Sequence, residues 1–358
     1  TKNLLYKSDI PTTTGYVTQM QNIGQVTNRG FELTINGDIL RGPDYVLSGN
    51  FTLGSNRMKI DKLNNTDDVL WDQAGNWHSI YNDYCLKVGD ETGLIYGFVY
   101  DGLYSPDEFT FDPNQNFLAV PKAKTVINQV SNSTNSGDAT LPGKIKFKDL
   151  NGDGYITEDD RTVIGHTTPR IQGGFGLNGQ WKNFDFTIDF TYMLDYDLYN
   201  ATAYALSSSS GSSTSFTNVL AKFADQRWRY TDPTTGECMY KNYYIDGSVD
   251  SYIAMNKNAG LWNPADVTNN LTNSYFIEDA SFLRCSDLTI GYTLPSKITK
   301  KWGISKLRFY VSGSNLFIIT GYSGYDPEVN LETGLTPGMD YNCYPRYRGF
   351  SFGVNLNF

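Results

Sequence analysis

The 358-residue sequence predicts an all-β fold: a portion of an antiparallel transmembrane β-barrel with long extracellular loops. Three observations predict it. Apolar and polar residues alternate in stretch after stretch, tight links alternate with very long ones, and the last residue is an aromatic that closes an amphipathic strand. A soluble β-sandwich would alternate in the same way, because its core face is apolar and its outer face polar. A sandwich has no reason to sort its links by parity, whereas outer-membrane barrels join strands through short periplasmic turns and long outer loops.

The elements follow in chain order. TKNLLYK, 1–7, is a partial strand. GFELTINGDIL, 30–40, and YVLSGNFTL, 45–53, flank the tight link Arg41-Gly42-Pro43. RIQGGFGLNG, 170–179, and FDFTIDFTYML, 184–194, flank a second tight link. In the latter, Phe184, Phe186, Ile188, Phe190 and Tyr192 share one face, and Asp185, Thr187, Asp189 and Thr191 share the other. Strands over 280–294 and 306–318 are joined across 295–305. The terminal strand sets Phe350, Phe352, Val354, Leu356 and Phe358 against Ser351, Gly353, Asn355 and Asn357. In a barrel the apolar rows face lipid, and Asp185, Asp189, Asn355 and Asn357 face the lumen.

Parity places all three tight links on the periplasmic side, and the long segments 60–169, 200–274 and 320–345 outside. LIYGFVYDGLY, 94–104, breaks the parity if it crosses the membrane, so it is expected as a local hairpin arm within the first outer loop. The second loop carries the low-complexity SSSSGSSTS, 207–215, expected to be mobile. Beyond it, Val219, Leu220, Phe223, Ala224 and Trp228 recur at helical spacing and predict one short helix.

Composition agrees. Only 39% of residues are hydrophobic, while 26 Tyr, 20 Phe and 34 Gly favour strands and turns. No run of about 18 apolar residues exists, which excludes a transmembrane helix but not a barrel. A net charge of −9 argues against nucleic acid as a partner. Cys85, Cys238, Cys285 and Cys343 form no CxxC pair. The opening TKNLLYKSDIP has neither an apolar core nor a small-residue cleavage site, so no signal peptide is expected in it. The chain is either mature or begins partway through something larger.

Enzymatic chemistry finds no support. GFGLNG, 174–179, matches GxGxxG, but a strand follows it where a dinucleotide site needs a helix. His78 and His166 lack a paired-ligand context, and Asp225 and Glu237 are read as solvated acids. Trp71, Trp77, Tyr81 and Trp262 suit stacking on sugars, yet packing within their own loops is the stronger expectation.

DLNGDGYITEDD, 149–160, has the ligand spacing of a calcium loop. Asp149, Asn151 and Asp153 occupy positions one, three and five. Gly154 falls at the sharp turn, Tyr155 supplies its backbone carbonyl, Thr157 a hydroxyl or a water, and Asp160 position twelve. The expected ion is a divalent cation, calcium by ligand type. The flanks KIKFKD and RTVIGHTTP read as extended rather than helical, so a static clip is expected rather than a sensor.

These segments together resemble SusC/RagA-type TonB-dependent transporters of the Bacteroidetes outer membrane. QNIGQVTNRGFELTING resembles the family's entry into a barrel strand, and GKIKFKDLNGDGYITEDDRTVIGHTTPRIQGGF its most recognisable block. SYFIEDASFLRCSDLTIGYTLP, VSGSNLFIITGYSGYDPEVN and RYRGFSFGVNLNF are similar to its late strands. The resemblance spans 1–358 and implies the C-terminal part of a larger barrel of about 22 strands. Its plug and TonB-contacting segments are absent from this stretch. An odd strand count with a truncated first strand speaks against closure by this chain alone. The resemblance further implies active import of an oligosaccharide or peptide, TonB as energy source acting through the plug, a SusD-like surface lipoprotein as cap, and outer-membrane lipid around the wall. The alternative is a secreted calcium-binding β-domain, an adhesin or carbohydrate-binding module, whose apolar rows would face one another across a core.

Overall fold

A computed structural model describes residues 2–9, 18–63, 69–72, 82–130, 140–208, 218–241, 244–265, 271–330 and 336–358. Its dominant element is one eight-stranded antiparallel sheet, the wall, whose strands we number β1 (Lys2–Asp9), β2 (Thr18–Arg41), β3 (Tyr45–Lys62), β4 (Ile171–Trp181), β5 (Phe184–Leu194), β6 (Phe282–Thr293), β7 (Lys306–Thr320) and β8 (Gly349–Asn357). Neighbours in sequence are neighbours in the sheet, and β1 and β8 are its two edges. The described part of the sheet is therefore open.

The strand limits agree closely with the alternation for β5, and β1 is a full strand of the sheet. They depart from it at β2 and β3, which run well past 30–40 and 45–53. The extra length is paired residue by residue, from Gln25↔Lys62 to Arg29↔Arg57. At its far end Val26 and Ile60 are buried with Leu63 and Leu86 of the first long link. A strand held by ladder bonds and a local cluster needs no two-faced pattern, which is why alternation missed it.

The tight links lie at one end of the wall. The Lys182 N–H donates to the Asp44 carbonyl at 2.7 Å, and the Thr293 N–H to the Asn183 carbonyl at 2.8 Å, so successive turns are tied to one another. The long links leave from the opposite end and fold into a body with its own core. Leu94–Gly97 and Tyr100–Leu103 pair within that body and not with the wall, as parity required. The helix predicted after the serine run spans Ala221–Gln226. Trp228 lies beyond it, its indole N–H donating to the Tyr252 hydroxyl at 2.6 Å, so helical spacing overestimated the element by one turn. Short helices at Ala201–Ala205, Val249–Met255 and Ser296–Thr299 were not anticipated. Most of the serine run, 209–215, lies outside the described residues.

Candidate functional site

The wall has two chemically distinct faces, and the register shows how the sequence builds them. Directly opposed residues in antiparallel strands point to the same face. One row runs Leu47, Gly179, Phe186, Ile290, Val311, Phe352 across six strands, and the next runs Tyr45, Trp181, Phe184, Tyr292, Phe309, Val354. Much of this face is open: Trp181 is 60% exposed, Ile290 53% and Phe352 80%. Gly179 lets the Phe186 ring lie against the sheet, since a Cβ there would sit 2.0 Å from that ring. A contiguous apolar surface of this extent needs an apolar cover.

The other face carries Ser48, Asn178, Thr187, Thr289, Ser312 and Ser351 in one row. The Thr187 hydroxyl donates to Asn178 Oδ1 at 2.8 Å. Asp185 pairs with Arg308, whose Nε lies 3.0 Å from Oδ1. Asp185 and Asp189 are thus on this polar face, as are Asn355 and Asn357 by register with Arg308 and Lys306. GFGLNG is an uninterrupted part of β4, which leaves no helix N-terminus for a dinucleotide phosphate.

At the long-link end a buried charge cluster ties the 321–348 link to the polar face. Arg284 of β6 contacts Asp326 at 2.6 Å and Glu328 at 2.7 Å, and Arg346 contacts Glu328 at 3.1 Å. The first three side chains are each less than 10% exposed. Such charges remain buried only because they are paired. His166, which stands alone in the sequence, is bracketed in space: Nδ1 lies 3.0 Å from Asp197 and Nε2 3.3 Å from Asp195, which also meets Arg170. These groupings join residues far apart in the sequence, and no local pattern announces them.

The 149–160 loop sits between the strands Ile145–Phe147 and Thr162–His166, and Tyr155–Ile156 pairs in parallel with Ile127–Asn128. Gly152 and Gly154 adopt φ of 78° and 87°, a region that favours glycine. Asp149 accepts from the Gly152 and Gly154 N–H groups, and Asp153 from that of Tyr155. Asn151 Oδ1 accepts from the Asp153 N–H. Buried Asp160 accepts from the Leu150 and Thr157 N–H groups, both at 2.8 Å, and Thr157 caps the short turn Glu158–Asp160. A carboxylate has about four lone-pair sites, so each acid keeps capacity for a cation, and the donor set is all oxygen. Among the described residues no three acidic, His or Cys side chains converge as a metal-ligand group. The side chains of the loop are engaged in holding its turn.

Of the loop aromatics, Trp262 is 1% exposed and packs edge-on against Phe223, Tyr275 and Phe276 at ring distances of 4.8, 5.1 and 5.9 Å. It belongs to the loop core. Trp77, Tyr81 and His78 lie outside the described residues, as does the side chain of Trp71. All four cysteines are free.

No protein-family model matches the chain. Individual relatives do. The chain is 30% identical over its whole length to a protein of Formosa agariphila named TonB-dependent receptor P3, of which it spans 31%. It is 28% identical to the TonB-dependent receptor SusC of Bacteroides thetaiotaomicron, again over its whole length and over 29% of that protein. The chain thus spans about a third of the length of the curated relatives it matches. Among solved structures, one described as the RagAB peptide transporter superposes with a TM-score of 0.63 at 20% identity, covering all of this chain and 32% of that one. A 'closed-closed' state of the RagAB peptide importer gives 0.66 at the same identity and coverage. That likeness supports the fold, a portion of a larger barrel.

Proposed function

Because the chain belongs to the SusC/RagA-type TonB-dependent transporters and forms a portion of their outer-membrane β-barrel, we propose that the protein actively imports a nutrient, an oligosaccharide or a peptide. The observation that carries this is the two-faced wall, with every long link gathered at one end. Lipid covers the apolar face and solute passes the polar one. In this reading TonB supplies the energy through a plug outside this stretch, and a SusD-like surface lipoprotein closes over the long links. The secreted β-domain fits less well, because the apolar rows belong to one open sheet and do not meet a second across a core.

Deleting the gene is expected to abolish growth on one class of nutrient, oligosaccharide or peptide, with growth restored by the intact gene. A tagged full-length protein is expected to co-purify with a surface lipoprotein. Unchanged growth on every oligosaccharide and peptide source would refute the import reading.

The 149–160 loop is further proposed to hold calcium through Asp149, Asn151, Asp153, the Tyr155 carbonyl, Thr157 and Asp160. Its support is the donor spacing and the two left-handed glycines. Calorimetric titration of the full-length transporter with calcium should give a binding isotherm that disappears in Asp153→Ala. An equal isotherm in that variant would remove the assignment.

A further inference from the structure

Between the short helix Ala201–Ala205 and the 321–348 link lies a cavity of about 200 Å³. Tyr325 stands at its rim, 81% exposed. Leu206 and Leu220 form its apolar side, and Thr202, Ser323 and Asp340 its polar one. The polar groups are held in place. The Ser323 hydroxyl and N–H both donate to Glu278, at 2.8 and 2.7 Å, and the Asn200 amide donates to the same carboxylate at 2.9 Å. Asp340 Oδ2 accepts from the Tyr322 hydroxyl at 2.6 Å, the Thr202 hydroxyl lies 3.5 Å from Oδ1, and the Cys343 N–H also donates to the carboxylate. With about four lone-pair sites, the carboxylate keeps room for a further donor from a ligand. Asp326, one residue beyond Tyr325, is bonded to Arg284 on the polar face of the wall. The cavity thus stands close to where the 321–348 link meets that face.

We propose that this cavity is a subsite for one pyranose ring of a neutral oligosaccharide, with the ring's C–H face on Tyr325 and its hydroxyls donating to Asp340. The proposal rests on the nutrient-import reading and narrows its substrate class. A pyranose joins an apolar face to a rim of O–H donors, which matches an exposed aromatic beside an acceptor with spare capacity. None of the lining residues is cationic, so the carboxylate end of a peptide would meet Asp340 with no countercharge there. Burial also holds the Asp340 carboxyl above the usual carboxylate range, and hydrogen-bond donors that bring no charge suit such a group.

Saturation-transfer NMR on the purified full-length transporter tests the site, with a mixture of D-glucose, D-galactose, D-mannose, D-xylose and L-fucose as probe. At least one sugar is expected to receive saturation. Its signal should fall about five-fold or more in Tyr325→Ala. It should return in Tyr325→Trp and stay unchanged in Tyr244→Ala, an exposed tyrosine elsewhere in the links. No sugar signal in the wild type, or an equal one in Tyr325→Ala, overturns the proposal. A Gly-Lys dipeptide giving the Tyr325-dependent signal where sugars give none also overturns it. Binding is read here without transport, so failure of the growth experiment and failure of this one are separable.

Discussion

Arg308 on β7 reaches across the intervening strand β6 to Asp185 on β5, and Gly291 is what lets it pass. A Cβ at Gly291 would lie 2.5 Å from the Arg308 guanidinium and 2.6 Å from the Asp185 carboxylate. Gly291→Val is therefore expected to push the pair apart, destabilising the wall by about 1–3 kcal/mol. Urea unfolding of the refolded full-length barrel measures it. The charge pair itself, partly exposed on the polar face, should show a coupling of no more than about 1 kcal/mol in a double-mutant cycle with Asp185→Asn and Arg308→Gln. A neutral Gly291→Val would show that the pair has another route.

Ile188 and Thr187 are neighbours on opposite faces of β5. Arg at Ile188 should cost about 2–4 kcal/mol if that position lies near the bilayer midplane. Thr187→Arg, directed to the polar face, should cost far less. Folding titrations into lipid vesicles compare the two, and equal penalties would contradict the assignment of faces.

Arg284→Met would leave Asp326 and Glu328 buried with their main counter-charge gone. Removing one partner of a buried pair typically costs about 3–5 kcal/mol. Here the link carrying the acids is expected to detach before the wall unfolds. Limited proteolysis should then cut within 321–348 at protease concentrations that leave the wild type intact. Identical cleavage of both proteins would show that other contacts suffice, such as the Tyr196 hydroxyl donating to the Pro327 carbonyl.

Asp340 makes stability depend on pH in an unusual direction. Burial raises its carboxyl above the ordinary 3.8, against the opposing bonds from the Tyr322 hydroxyl, the Cys343 N–H and the Thr202 hydroxyl. In the folded state the proton is held more tightly than in the unfolded one, so this contribution is full below 3.8 and is lost as pH rises through the folded value. Asp340→Asn cannot ionise, and its melting temperature should gain on the wild type as pH is raised from acid toward neutral. A difference that stays constant with pH would mean that Asp340 does not titrate within this window.

Parts of this were legible in the residues alone, and particular elements show why. β5 could be delimited because its two faces meet different solvents, which writes a period of two into FDFTIDFTYML. The stretch 94–104 could be kept out of the wall because parity forbids an extra crossing, although its two strands, Leu94–Gly97 and Tyr100–Leu103, join separate small sheets and not one hairpin arm. β2 could not be delimited, because its outer half is held by ladder bonds to β1 and β3 and by the cluster at Val26 and Ile60. The helix after the serine run was found and overextended, since Trp228 continues the helical spacing while packing on Tyr252 beyond Arg227, where the backbone turns extended and ends the helix. The 149–160 loop was legible as a turn because its acids bond N–H groups two to ten residues away.

The wall and the sorting of links by length were thus determined by the sequence, since they are set by periodicity and by the lengths between strands, and the family was legible in the resemblance of whole segments such as GKIKFKDLNGDGYITEDDRTVIGHTTPRIQGGF. The pairing of Asp185 with Arg308, the burial of Arg284 with Asp326 and Glu328, the bracketing of His166 and the cavity beneath Tyr325 were decided only by tertiary structure. Arg308 and Asp185 stand 123 positions apart, and one register holds them within reach. A side chain's hydrogen-bonding capacity is written in its identity, but its partner is chosen by which strands lie side by side and which links fold back over them.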